Sequence, residues 1–458
     1  MWFKRVNWIK INIILLWCTI TLIRVFHHSP WYDEAHAWLI AQELNLIEII
    51  KLMKIEGHTF IWYLCLMPFA KTNFMYPYSM LLLNWLFCFI AILILWLKAP
   101  FNNLVKFLIS FSFPFFAMYP VVARCYSLGI MFLFALAAME KVKLNHPNWY
   151  ALLLILCANT SVMAAVGATV FGAIFLYDMI KNKTKFIIPV SIMLLGAVFV
   201  LYQLSGSTKD IIWGHVPMGK WFLSNVFVNN LYINITMLLL IFSFYVFFYI
   251  KNKIFPKYLV LTYLILFIVI FIYSGNIWHW FFFYIYLIIS SWMILTISKE
   301  IKFKKAYVIF LCVISFMYVL YKPNHVIYNY VWHDKSKSLS KYILKNKNFV
   351  NSNIIIISFN YYSLLPYLKN SGIQVYNYCS GKPANYDTTA FTRSEYCSGD
   401  GPTFSDKHFE KIYDYDKTNF LIGDENLESY VLGTSKNKFL FKLIKIGNEM
   451  NIHVIEKL

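Results

Sequence analysis

The sequence predicts a polytopic α-helical membrane protein with a small α/β domain near its C-terminal end. Three observations carry that prediction. Hydrophobic residues make up 60% of the 458 residues and mean hydropathy is +0.57, against about 45–50% apolar residues in soluble domains. Apolar runs long enough to cross a bilayer recur from residue 8 to residue 321. The 41 Lys and Arg, against 22 Asp and Glu, fall in short clusters between those runs. That distribution of a +19 net charge is how a membrane protein sets its topology, so nucleic acid is not an expected partner.

The first run, 8–26, follows Lys4 and Arg5 and lacks a small-residue cleavage site, so it is expected to be a retained anchor. Further runs cover 77–97, 104–121, 124–140, 186–204, 231–250, 256–274, 277–297 and 305–321. The stretch 149–180 is broken near "NTSVMA" and is expected as two short helices, which makes about eleven spans at the usual length. The segment "TFIWYLCLMPFA", 59–70, is too short to cross. With that segment held to one side, the basic clusters around residues 4–10, 98–106, 141–143, 181–185, 251–257 and 299–305 all fall on the cytoplasmic face. The first loop 27–76, the Arg124 turn, the loop 205–230, the Gly275–Asn276 turn and the tail then lie outside. Within the first loop, Leu46, Ile49, Ile50 and Met53 share a helical face opposite Glu48, Lys51 and Lys54, as in a helix lying in the interface.

The tail, 322–458, changes character and has the length of a small domain. Strands are expected at 353–358, 373–378 and 439–447, and helices at 336–347 and 407–418. "YCSG" occurs at 378–381 and again at 396–399, so Cys379 and Cys397 are disulfide candidates. Such a bridge is worth about 3 kcal/mol in the chain-entropy model. The other six cysteines lie in or beside apolar runs and are expected to be small hydrophobes.

Acidic residues are scarce, yet "PWYDEAHAWLIAQEL", 30–44, places Asp33 beside Glu34 just after the first span. A helix start accounts for two first-turn acids. Parity also brings His36, Glu56, His58, Arg124, His215 and His279 to the same external side. Each has a plain alternative: a snorkelling Arg124, a locally bonded His58, a His279 in an aromatic belt with Trp278 and Trp280, and a His215 that is an ordinary loop residue. Glu56 and His58 are two possible ligands for a divalent cation, which alone do not make a site.

The run of motifs "PWYDEAHAWLIA", "EGHTFIWYLCLMPF", "YPVVARCYSLGIMFLFALA", "CANTSV" and "GNIWHWFFFYIYLIISSW" resembles bacterial GT-C glycosyltransferases. Within these it is similar to the relatives of protein O-mannosyltransferases and lipid A aminoarabinose transferases. The likeness runs from Trp8 to about residue 300 and does not cover the tail. It departs from the family pattern at Thr59, where relatives carry proline, and at Trp278, where they carry a basic residue. The resemblance implies a bacterial cytoplasmic-membrane enzyme that takes a sugar from a polyprenyl-phosphate-linked donor. The sugar passes with inversion to a glycan, lipid or protein acceptor outside. The family's acidic pair maps onto Asp33–Glu34, its Arg onto Arg124 and its first-loop His onto His58.

That chemistry needs a base for the acceptor hydroxyl, a cation for the departing phosphate and an aromatic cradle for the sugar. Asp33 is expected as the base, with Glu34 orienting it or binding acceptor or metal. Arg124, His58, His279, Trp31 and Tyr126 are expected on the donor, with Tyr32 and Trp38 as further stacking surfaces. Asp33 and His36 share a helix face at i,i+3; His36 and Glu56 are expected as acceptor-side or secondary residues. Two rivals use the same features: a flippase for a lipid-linked glycan, and a non-catalytic membrane subunit. No internal repeat of the kind common in transporters is evident.

Overall fold

The computed structural model describes residues 8–56, 58–184, 186–206, 231–252, 262–263, 277–297, 304–321, 336–349, 352–356, 363–369, 371–377, 382–383, 416–422, 439–446 and 450–457. The chain divides into two compact units. The first is Met1–His27, Met53–Trp62 and Leu81–Tyr330; the second is His28–Leu52, Tyr63–Met80 and Val331–Leu458. Most of the first loop, His28–Leu52 and Tyr63–Met80, thus divides with the tail, while its middle, Met53–Trp62, divides with the helices of the first unit.

In chain order the helices are α1 (Trp8–His27), α2 (Tyr32–Glu43), α3 (Leu46–Glu56), α4 (Ile61–Ala70), α5 (Tyr78–Lys98), α6 (Asn103–Ser110), α7 (Tyr126–Met139) and α8 (Pro147–Ala158). There follow α9 (Val162–Lys181), α10 (Ile187–Leu204), α11 (Leu231–Asn252), α12 (Ile277–Ile297), α13 (Lys304–Val319) and α14 (Ser336–Lys345). Among the described residues six helices are long and apolar enough to cross a membrane: Trp8–His27, Tyr78–Lys98, Val162–Lys181, Ile187–Leu204, Tyr232–Ile250 and Trp278–Thr296. The run 149–180 breaks at the expected place, where the Ser161 hydroxyl caps α9 by accepting from the Ala164 amide at 3.1 Å. Its second half, however, is a 20-residue helix and not a short one. The segment 59–70 holds a helix of only 10 residues, with Pro68 inside it. The expected span 256–274 lies outside the described residues apart from 262–263.

The run 104–121 is not one helix, which corrects the sequence expectation. It holds α6, of 8 residues, then a single π-helical turn, Pro114–Met118, and irregular chain to Cys125. Pro114 is the cause. It has no N–H to donate to the Ser110 carbonyl four residues back. The indole N–H of Trp17 on α1 donates to that carbonyl instead, at 3.0 Å, and to the Phe115 carbonyl at 3.1 Å. The Arg24 guanidinium donates to the Phe116 carbonyl at 3.0 Å. The Tyr119 carbonyl accepts from Asn84 at 2.8 Å and from Ser127 at 2.7 Å. Side chains from α1, α5 and α7 thereby satisfy backbone groups that an apolar surrounding would leave stranded.

Elsewhere in this unit small residues let helices approach closely. A Cβ on Gly129 would lie 2.8 Å from the Thr160 hydroxyl and 2.9 Å from the Ala164 Cβ. One on Gly167 would lie 2.6 Å from Leu133 Cδ2 and 2.8 Å from Tyr286 Cε1. The Tyr286 phenol inserts into the α9 ladder there, accepting from the Gly167 amide at 2.9 Å and donating to the Met163 carbonyl. Between α7 and α9, buried Lys143 bonds Glu140 and Asp178, each at 2.7 Å.

In the second unit α2 is buried along most of its length, from Glu34 to Gln42. Asn45 starts α3, its side chain accepting from the Ile47 and Glu48 amides while Glu48 accepts from the Asn45 amide. In the part of α3 that belongs to this unit, Ile49 and Leu52 are buried, Ile50 is half-buried and Leu46 is 38% exposed, so the apolar stripe begins a turn later than expected. On α14, Leu339 and Ile343 are buried at i,i+4 spacing. The strands β1 (Asn353–Ile356), β2 (Gln374–Asn377), β3 (Lys382–Pro383), β4 (Asn419–Ile422), β5 (Phe439–Ile446) and β6 (Met450–Lys457) form one sheet in the order β3-β2-β1-β4-β6-β5. Central β1 runs parallel to β2 and β4, with Ile354 opposite both Val375 and Phe420. Its continuous apolar run fits a strand covered on both faces, and Ile354 and Ile355 are fully buried. The expected helix 407–418 and both "YCSG" motifs, with Cys379 and Cys397, lie outside the described residues save for 416–418.

Gly167→Ala is expected to destabilise the protein by about 1–3 kcal/mol, the usual cost of an added carbon in a tight contact. Unfolding of the wild type and the variant in detergent micelles measures it.

Candidate functional site

The predicted site residues fall in both units. In the first, His58 sits in the short link between α3 and α4 and is 5% exposed. Half-buried Arg124 lies in the irregular chain before α7, and its guanidinium donates to His58 Nε2 at 3.0 Å. Arginine is a donor only, so this bond makes Nε2 the acceptor and puts the proton of a neutral His58 on Nδ1. Two residues further on, at the start of α7, the Tyr126 phenol bonds His279 Nε2 at 2.7 Å, and both residues are buried. The His58 ring meets Tyr126 edge-on, with ring centroids 6.1 Å apart. Four predicted residues, His58, Arg124, Tyr126 and His279, are therefore neighbours. His279 is bonded within this group rather than serving only in an aromatic belt.

The irregular chain ahead of Arg124 is placed by the Tyr119 contacts already described, and the Tyr119 phenol donates to the Trp278 carbonyl at 2.8 Å. This ties the Arg124 turn to the start of α12. The His58 link is fixed from another direction. Gln203, at the end of α10, accepts from the Phe60 amide at 3.0 Å and donates to the Asn159 side chain at 2.8 Å. The Asn159 carbonyl accepts from the Ile61 amide at 3.4 Å. Gln203 and Asn159 are fully or nearly fully buried. "CANTSV" is thus a brace for the start of α4, and Gln203 was missed because a single glutamine at a helix end carries no sequence signal.

In the second unit, the two adjacent acids have different surroundings. Asp33 is half-exposed, whereas Glu34 is fully buried. One oxygen of Glu34, Oε2, accepts from the Trp31 amide at 3.1 Å and from His28 Nε2 at 2.8 Å. The Trp31 carbonyl accepts from the Glu34 and Ala35 amides, each at 3.1 Å, so Trp31 is the N-cap of α2. Glu34 therefore does what the plain alternative expected of a first-turn acid, with His28 as an added partner. Tyr32 stacks on His36, with centroids 5.8 Å apart and planes at 15°. Trp31 and Tyr32 are half-buried. Trp38 is not a free stacking surface: it is fully buried, bonded to Asn73 and in ring contact with Tyr76.

Asn73 joins three parts of this unit. Its oxygen accepts from Trp38 and Gln42 of α2, both at 3.3 Å, and its amide donates to the Pro366 carbonyl at 3.2 Å. Its φ of 50° is in the left-handed region, which asparagine tolerates better than most residues. The Lys71 ammonium closes the far end of α2 by donating to the Gln42 and Leu44 carbonyls. Tyr76 meets Tyr367, Glu43 pairs with Lys369, and Lys337 donates to Tyr78. The helix that carries Asp33 is held by the tail.

Among the described residues no three His, Cys, Asp or Glu side chains are grouped so as to hold a metal ion. Of the expected pair, Glu56 is half-exposed and His58 Nε2 is already bonded to Arg124. His215 lies outside the described residues.

Gln203→Leu removes the acceptor for the Phe60 amide and the donor to Asn159. An expected loss of about 1–3 kcal/mol per buried polar group left unmatched would appear in detergent unfolding. The chain matches no family model, and neither a curated protein nor a solved structure matches it.

Proposed function

We propose that this protein is an integral-membrane glycosyltransferase. It would take a sugar from a polyprenyl-phosphate-linked donor and transfer it, with inversion, to a glycan, lipid or protein acceptor. The observation that supports this best is the unequal treatment of the two acids: Glu34 is buried in structural bonds while Asp33 beside it stays half-exposed. A general base must reach both its substrate and the proton's exit. Asp33 would take the acceptor hydroxyl's proton as the hydroxyl oxygen attacks the anomeric carbon and the donor's phosphate leaves with the bonding pair.

The phosphate would be met by Arg124, whose planar fork suits phosphate oxygens. His58 bonds that guanidinium, and Tyr126 with His279 lies next to it. Trp31 and Tyr32 would contribute aromatic surface to the sugar and His36 would lie on the acceptor side. The reading includes a GT-C type architecture of about eleven spans. It also includes a cytoplasmic N-terminus and a small α/β tail domain outside, in a bacterial cytoplasmic membrane whose lipids are a further partner.

Membrane vesicles containing the protein and a labelled polyprenyl-phospho-sugar provide the test. The label is expected on a new acceptor, and Asp33→Asn is expected to lower transfer by about 100-fold or more while expression holds. Wild-type activity in Asp33→Asn would remove Asp33 from the role of base. Donor movement across the vesicle without transfer would make the protein a flippase, and neither activity would make it a partner subunit.

A further inference from the structure

His28 stands outside every motif named above, yet it is fully buried against Glu34, which is fully buried too. An ordinary N-cap needs no such arrangement: an exposed Ser, Thr, Asp or Asn beside the first turn suffices. Here a carboxylate has been taken out of water, which is unfavourable unless it is bonded on arrival. The same oxygen, Glu34 Oε2, receives both the His28 N–H and the Trp31 amide. His28 Nδ1 has no hydrogen-bond partner among the described residues. The polar role of this buried ring is therefore its bond to Glu34.

That bond connects the residue just after α1 to the first turn of α2, closing the five residues 29–33, which include Pro30 and Trp31. Asp33 lies inside the closed segment, one residue before the anchor. We infer that His28 is a positioning residue: by clamping Glu34 it fixes the first turn of α2 and so the direction in which the Asp33 carboxylate is presented. Glu34 is then the anchor of that turn, and its negative charge takes no part in proton transfer. This inference rests on the reading of Asp33 as the base, and it adds what holds that base in place.

The shared oxygen makes the inference sharply testable. Glutamine at position 34 keeps one carbonyl oxygen to accept both N–H groups, so Glu34→Gln is expected to retain at least about a third of the wild-type kcat. A residue that held a proton, a metal or an acceptor through its charge would not tolerate that change. At position 28, Gln places a side-chain N–H near the place of Nε2, whereas Leu fills the space and donates nothing. His28→Leu is expected to lower kcat by about 10- to 100-fold, the scale of a catalytic group displaced by an ångström or less. The KM for the labelled polyprenyl-phospho-sugar should stay within about twofold, and His28→Gln should restore kcat.

Hydrogen–deuterium exchange on the purified full-length proteins supplies a readout that needs no activity. The peptide covering residues 28–38 should exchange faster in His28→Leu and at the wild-type rate in His28→Gln and Glu34→Gln. Loss of activity in Glu34→Gln equal to that of Asp33→Asn would overturn the inference, as would unchanged exchange in His28→Leu. Rise of KM in step with the fall of kcat would overturn it as well. If the wild type transfers no sugar, the glycosyltransferase reading fails on that result alone, and exchange still decides whether His28 holds the turn.

Discussion

The first unit depends on one requirement: backbone that leaves the helical pattern inside an apolar surrounding must find hydrogen-bond partners. Pro114 breaks the ladder at Ser110, and from there to Cys125 the chain is a π turn and irregular backbone. Trp17, Arg24, Asn84 and Ser127 supply donors to its carbonyls. Because of this, Arg124 sits on chain that is neither helix nor loose loop. Its position is set by side chains from three helices, and the contact with His58 follows from that placement.

The same logic explains which parts of the fold were legible in the sequence. Long apolar runs without breakers, such as Trp8–His27 and Tyr78–Lys98, became span-length helices because periodicity and length suffice for them. The run 104–121 misled because its aliphatic residues and phenylalanines keep it apolar despite its Ser and Pro, while Pro114 removes a donor. The break at Ser161 was visible, since a hydroxyl ahead of an apolar run is a helix-start signal.

For the candidate site, sequence reasoning brought together His58, Arg124, Tyr126 and His279, and these are neighbours in the first unit. It took Trp38 for a ligand surface because nothing local tells a buried tryptophan from an exposed one; its partner Asn73 is 35 positions away. His28 and Gln203 escaped notice for the same reason. His28 acts through its contact with Glu34 and Gln203 through its contacts with Asn159 and Phe60, partners that only the folded packing brings to them. The two acids of the opening motif illustrate the general point: identical chemistry in adjacent positions diverges when a helix buries one and leaves the next outside.

The bond from Asn73 to the Pro366 carbonyl spans 293 positions of sequence. Ribosomes add about 5–20 residues per second, so the helix bearing the acidic pair waits about 15–60 s for its last supporting segment. During that interval Trp38 and Gln42 have Asn73 but not the tail behind it. The acid-bearing helix is therefore made early and completed late, and a chain that stops short of residue 366 cannot finish it.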